Sequence, residues 1–157
     1  MALIKGTNSY VSLKEATAYF ENRIDASAFQ TATDEMKSQA LITATMLLDN
    51  YSYIGQSVSP SQPLAFPRIG SYFDPKTGTQ VEFSNTVPDR IIKATYELAY
   101  HLLNNDGMLD DTGYIKEITV ASIKLVDIKA PPKVLSLVLS IIGPLRTQGK
   151  HLWWRAN

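Results

Sequence analysis

Cysteine is missing from this chain, which excludes disulfides and thiolate metal sites and fits a reducing compartment. Net charge is missing too. Fifteen Lys/Arg stand against fifteen Asp/Glu, so overall basicity makes no case for nucleic-acid binding. Only two histidines occur, His101 and His151, in different segments and in no His-x-x-x-His or His-x-His pair, so a histidine metal site has no support. No apolar run approaches the roughly 18 residues that a membrane-spanning helix needs. Met-Ala-Leu-Ile-Lys is too short for a signal-peptide core, and the expectation is a soluble, unexported chain.

What is present suits one globular domain. A chain of 157 residues with 45% apolar content can bury a core without staples. Charge is distributed unevenly along it. From Thr112 onward there are seven Lys/Arg and two Asp/Glu, a balance of +5, and the preceding part carries −5. Either this is a solvated charge distribution, or a basic tail finds an acidic partner.

Ser12-Leu-Lys-Glu15 has the form of a capping box, with Leu13, Ala16, Tyr19, Phe20 and Ile24 recurring behind it at helical spacing. That spacing predicts a helix over 13–24. Residues 25–33 are small and polar and read as a link. Asp34 starts a second helix, with Ala40, Leu41, Ala44, Leu47 and Leu48 on one face, ending near Asn50. Between Tyr51 and Val87 the prolines at 60, 63, 67 and 75, with Gly70 and Gly78, exclude a long helix. This stretch reads as a long loop, with a turn at Asp74–Gly78 and a short strand at 79–83. Pro88 and Asp89 open a third helix, whose stripe runs from Ile91 to Leu103 and stops at Asn104-Asn-Asp-Gly107. Residues 116–129 alternate and are β-branched, which predicts two short strands pivoting near Ala121–Ser122. A fourth helix over 132–142 ends at Gly143-Pro144, and Leu145–Asn157 forms a tail.

Signatures of catalysis are missing. There is no Gly-x-Ser-x-Gly elbow, no phosphate-cradling Gly-x-x-x-x-Gly-Lys run and no dinucleotide fingerprint. Asp106, Asp110 and Asp111 lack the spacing of a calcium loop. The expectation is a chain that is no enzyme and needs no cofactor or metal. Single-stranded DNA binding requires a cationic groove interleaved with stacking aromatics. Tyr51, Tyr53, Phe66, Tyr72 and Phe73 supply aromatics but only Arg68 and Lys76 accompany them. Lys150, Trp153, Trp154 and Arg155 make a better small cluster.

Three runs carry a resemblance: Gly6-Thr-Asn-Ser-Tyr10-Val-Ser-Leu-Lys-Glu-Ala16, Gln62-Pro-Leu-Ala-Phe-Pro-Arg-Ile-Gly70 and Val87-Pro-Asp-Arg-Ile-Ile-Lys-Ala-Thr-Tyr-Glu-Leu-Ala99. In this order, with Ala-Leu-Ile-x-Ala-Thr at 40–45, the chain resembles the head–tail connector adaptors of tailed bacteriophages, also called head-completion proteins. Some members are labelled DnaT-like single-stranded-DNA-binding proteins. The resemblance spans roughly residues 5–142. It implies a small helical domain with an extended or hairpin arm that assembles as a ring, a dodecamer matching the portal, in the neck of a virion built in the host cytoplasm. Its implied partners are sister copies, the portal, a tail or stopper protein, and DNA passing non-specifically through the channel; no membrane is implied.

The combined expectation is a mainly α fold, a small bundle of about four helices with a Pro-rich loop over 51–87 and a short β-hairpin arm over 116–129. Residues 1–144 form the domain and 145–157 the tail. Leu64, Phe66 and Arg68 on the stiff loop, with Ile118, Val120, Ile123 and Leu125 on the hairpin, are the candidate inter-subunit contacts. Arg146, Lys150, Trp153, Trp154 and Arg155 are the candidate portal contacts, because Trp and Arg often carry interface energy. The competing accounts are core packing for Phe66 and a tryptophan lid on the core for the tail. The function expected is a connector adaptor, with a single-stranded-DNA-binding accessory protein of replication as the alternative.

Overall fold

The computed structural model describes residues 2–104, 114–120, 123–129 and 133–147. Four elements lead the chain. Helix α1 spans Leu13–Glu21, α2 Ser27–Thr31 and α3 Asp34–Asp49, followed by the two-residue strand β1 at Gln56–Ser57. Strands β2 (Arg68–Asp74) and β3 (Thr79–Thr86) precede the long helix α4 (Asp89–Asn104). Strands β4 (Tyr114–Val120) and β5 (Ile123–Lys129) come next, then α5 (Lys133–Ile142) and a 3-10 turn over Gly143–Leu145.

The mainly α expectation fails on residues 56–86, which build an antiparallel sheet in the order β1-β2-β3. The architecture is mixed α/β. What reads as a long loop is therefore half sheet. Ile69, Ser71 and Phe73 alternate with Gly70, Tyr72 and Asp74, placing apolar residues on both faces of β2 and hiding the period-two signal. The pair holds register from Arg68 opposite Thr86 to Asp74 opposite Thr79, with an irregularity between Arg68 and Ile69.

The helical expectations for α3 and α4 agree with the structure, and α1 starts as its capping box dictates. The Ser12 hydroxyl accepts from the Glu15 amide at 3.3 Å, and the Glu15 carboxylate accepts from the Ser12 amide at 2.8 Å. The helix stops at Glu21 with an Asn22 cap, sooner than the stripe suggests. Ile24 is consequently not on a core face but fully exposed. Arg23 turns the chain there: its amide donates to the Phe20 carbonyl and its guanidinium grips Asp25 and Glu97. The polar link at 25–33 also contains α2, which buries Phe29 against Phe20, ring centroids 4.4 Å apart.

Helix α4 is the hub of the core. It packs against α2, α3 and α5 and buries Ile91, Ala94, Tyr96, Leu98, Ala99 and Leu102. Ala94 and Ala99 of α4 and Ala40 and Ala44 of α3 are small residues buried in the same core, which suits close packing of these two helices. Val138 and Ile142 of α5 close the other side. Leu145 is fully buried, and the backbone beyond the 3-10 turn is stitched to the segment after α3: the Ile54 amide donates to the Leu145 carbonyl at 2.9 Å and the Thr147 amide to the Ser52 carbonyl at 3.0 Å. The first residues of the expected tail are thus part of the folded body.

Two glycines position the sheet. Gly55 has φ +78°, and a Cβ there would lie 2.5 Å from the Ile69 carbonyl oxygen. Gly70 faces it across the strands, so that a Cβ would meet the Gly55 Cα at 2.9 Å and the Phe83 ring at 3.1 Å. Phe83 lies over a residue without a side chain, which lets its ring reach the interior. Gly55→Ala is expected to destabilise the fold by more than about 2 kcal/mol, combining left-handed strain with a backbone collision. Gly78→Ala, with φ +68° but open space around it, is the control and should lose only about 1 kcal/mol. Urea denaturation of the two variants measures the difference.

The capping box yields a pH dependence. The Lys5 ammonium, followed by the Ser12 amide and hydroxyl, pulls the Glu15 carboxyl from 4.5 down to about 2. A carboxyl depressed on folding stabilises the fold above its unfolded value and loses that contribution as pH falls through the folded one. The side chain is 44% exposed, so solvent screening limits the effect to about 1 kcal/mol. Glu15→Gln should therefore be less stable than the parent at pH 7 and converge with it as pH approaches 2 in thermal melts.

Candidate functional site

The Gln62–Arg68 run faces inward. Phe66 is 1% exposed and Leu64 is buried at 9%. The Phe66 ring sits edge-on to Tyr53 at 4.9 Å and to Tyr10 at 6.2 Å, and 6.2 Å from Phe83 of β3. Of the two accounts of Phe66, core packing describes this chain. Backbone polarity is settled locally. The Gln62 side chain donates to the Leu64 carbonyl at 2.7 Å, and the Ala65 amide donates to Asp49 Oδ2 at 3.2 Å. The Tyr10 hydroxyl donates to Asp49 Oδ1 and accepts from the Phe66 amide at 3.4 Å. Burial pushes both the Tyr10 hydroxyl and the Asp49 carboxyl up from their ordinary values. The Phe66–Pro67 peptide is cis.

Arg68 is partly buried and bonds only to backbone oxygens. Its Nε donates to the Ile54 carbonyl at 3.0 Å, and its Nη atoms to the carbonyls of Gly55 at 2.6 Å, Tyr53 at 3.3 Å and Ala65 at 3.4 Å. The other described arginines are engaged as well. Arg23 pairs with Asp25 and Glu97, and Arg146 lies over the Tyr51 ring at 4.8 Å. Arg90, near the start of α4, donates to Asp74 at the end of β2 and to the Ile141 carbonyl of α5 at 3.0 Å. That one guanidinium ties the sheet to two helices. Aromatic surface is similarly committed: of the five aromatics considered for DNA stacking, Tyr53, Phe66 and Tyr72 are buried, Tyr51 is half-buried and Phe73 is exposed.

A different surface emerges on the sheet. Phe73, weighed above only as a stacking aromatic, and Ile69, which sequence reasoning did not single out, are 58% and 52% exposed on the outer face of β2. Their i, i+4 placement in a strand, with Ser71 between, is the signal that could have found them. Beside them β3 is an edge strand of the sheet among the described residues, β1 being the other. Its eight residues, Thr79–Thr86, contain no proline and no lysine, and Glu82 is their one charge. Such devices normally blunt an edge strand.

Strands β4 and β5 pair antiparallel, with Ile118 opposite Leu125 and Val120 opposite Ile123. Strand alternation places these four candidate contacts at register positions sharing one face, at the end of the hairpin. Lys150, Trp153, Trp154 and Arg155 lie outside the described residues, as do Asp106, Asp110 and Asp111. His101 is buried on α4. Among the described residues no cluster of three His, Asp or Glu side chains could hold a metal ion, and no helix is long and apolar enough to cross a membrane.

Truncating Phe66 and Phe73 separates interior from surface. Phe66→Ala should lose about 3–5 kcal/mol of stability by opening a cavity among three rings. Phe73→Ala should change it by less than about 0.5 kcal/mol. Denaturant titration of both variants checks this assignment.

No curated protein and no solved structure gives a match to this chain. One family model does, that described as "Putative DnaT-like ssDNA binding protein", and it covers residues 2–142, from before the capping box to the end of α5. The chain belongs to this DnaT-like family.

Proposed function

We propose that this chain is a structural assembly protein, a head–tail connector adaptor that forms a ring beneath a portal, lines the DNA exit channel and presents a docking surface to tail or stopper proteins. It acts in the neck of a virion and performs no bond chemistry. The observation that carries the reading is the division of labour in the described body. Its described arginines and most of its described aromatics are used internally, and Ile69 and Phe73, two of its exposed apolar residues, stand on β2 beside the β3 edge strand. A strand edge and a hairpin are suited to neighbouring protein chains. A conduit also benefits from the acidic balance of residues 1–111, because a cationic lumen would hold the phosphates of passing DNA.

The family description favours the second reading, a single-stranded-DNA-binding accessory protein of replication. On that reading the stacking and charge come from the tail, through Lys150, Trp153, Trp154 and Arg155. On the connector reading the same tail residues, with Arg146, are the portal contact.

Mass photometry of the full chain, alone and mixed with portal, is set against anisotropy of a labelled single-stranded oligonucleotide over a salt series. The connector reading expects rings, on their own or on the portal, and weak oligonucleotide binding. A chain that stays monomeric in both mixtures and binds the oligonucleotide tightly, with affinity falling steeply as salt rises, overturns it in favour of the second reading.

A further inference from the structure

The sheet edge and the hairpin are two unfinished structures within one chain. Residues 79–84 of β3, before the irregularity at Asn85, offer backbone donors and acceptors along the outer side, with none of the proline or lysine that protects an edge. Among the described residues β4–β5 is a sheet of two strands. Two strands alone are marginal in water, and a third strand makes such a unit more stable. An edge strand and a two-stranded unit can each complement the other.

From these complementary deficits we infer that the β4–β5 hairpin of one copy adds to the β3 edge of the next, making a five-stranded sheet across each seam of the assembly. This rests on the ring reading above and specifies the contact that builds it. Charge agrees with the pairing. β3 carries Glu82 as its one charge, whereas residues 114–129 hold Lys116, Lys124 and Lys129 against Glu117 and Asp127. An acidic edge thus meets a basic hairpin, within a chain whose two parts are acidic and basic in the same order. The contact is heterologous, edge to hairpin, so each copy has one of each to offer, and repetition gives a closed ring when the rotation allows. Ile118, Val120, Ile123 and Leu125 hold register positions on one face of the hairpin.

Two variants of the full chain test the seam. The edge variant carries Glu82→Lys and Ser84→Lys, both at exposed positions, which reverses the charge of β3 and adds an edge-blunting residue. The hairpin variant carries Ile118→Asp and Leu125→Asp. Circular dichroism and thermal melts establish that each is folded, and mass photometry reads the mass of each alone and of an equimolar mixture. Each variant alone should be a monomer. The mixture should give a 1:1 dimer and stop there, because one intact edge meets one intact hairpin and no second seam can form. Should the hairpin variant lose its fold, the edge variant alone decides, with parent-like rings counting against the seam and monomers for it. If folded variants assemble like the parent, or if the hairpin variant dimerises by itself through β3 against β3, the seam is overturned while the ring reading stands. A parent chain that is monomeric with and without portal overturns the ring reading itself.

Discussion

The Phe66 ring joins the helical and sheet halves of this molecule at their shared core. The helical side reaches it through Tyr10, just before α1, and Tyr53, just after α3, and the sheet reaches it through Phe83. Desolvating such a ring contributes roughly 1.5–3 kcal/mol, and the edge-on contacts add to that. Around the ring, Asp49 accepts from Tyr10 and from the Ala65 amide, so the backbone that carries Phe66 is held as well as its side chain. Without this node the three-stranded sheet would keep the Arg90 tie to α4 and α5 and the Arg68 brace, but the stretch leading into β2 would lose its main apolar anchor.

The same economy governs charge. Guanidinium groups bind acids, carbonyls or ring faces within the chain, and a second aromatic cluster of Tyr19, Phe20, Phe29, Tyr96 and Tyr100 closes the end where α1 and α2 meet α4. Arg23 lies within 6 Å of three of those rings while bridging Asp25 and Glu97. These groups stabilise a body. Ile69 and Phe73 of β2, by contrast, are among the apolar side chains turned outward.

Sequence reading succeeded where one physical signal dominated. The capping box and the 3.6-residue stripes of α3 and α4 are local and unambiguous, and alternation with β-branching marks β4 and β5. It failed where signals cancel. β2 has apolar residues on both faces and a glycine in its middle, so neither periodicity nor propensity marks it as a strand. α2 is one short turn of helix whose main reason to exist is Phe29 burial, a tertiary effect. Ile24 continues the spacing of α1 but lies beyond its cap, because the Arg23 side chain diverts the chain. At the candidate site, the four apolar hairpin positions fall at register positions on one face, while the inward turn of Leu64 and Phe66 depends on Tyr10 and Asp49, which are distant in sequence.

Arg68 gives the Gln62–Gly70 run its meaning. A planar fork that satisfies four main-chain oxygens works as an internal brace, and a lysine, with one compact head, could not span Ile54, Gly55, Tyr53 and Ala65 together. The run by which this chain is most readily recognised is thus a signature of how it folds. Proteins sharing it would share a shape before they shared a task, and their separate occupations would have to be sought in the strands and termini around it.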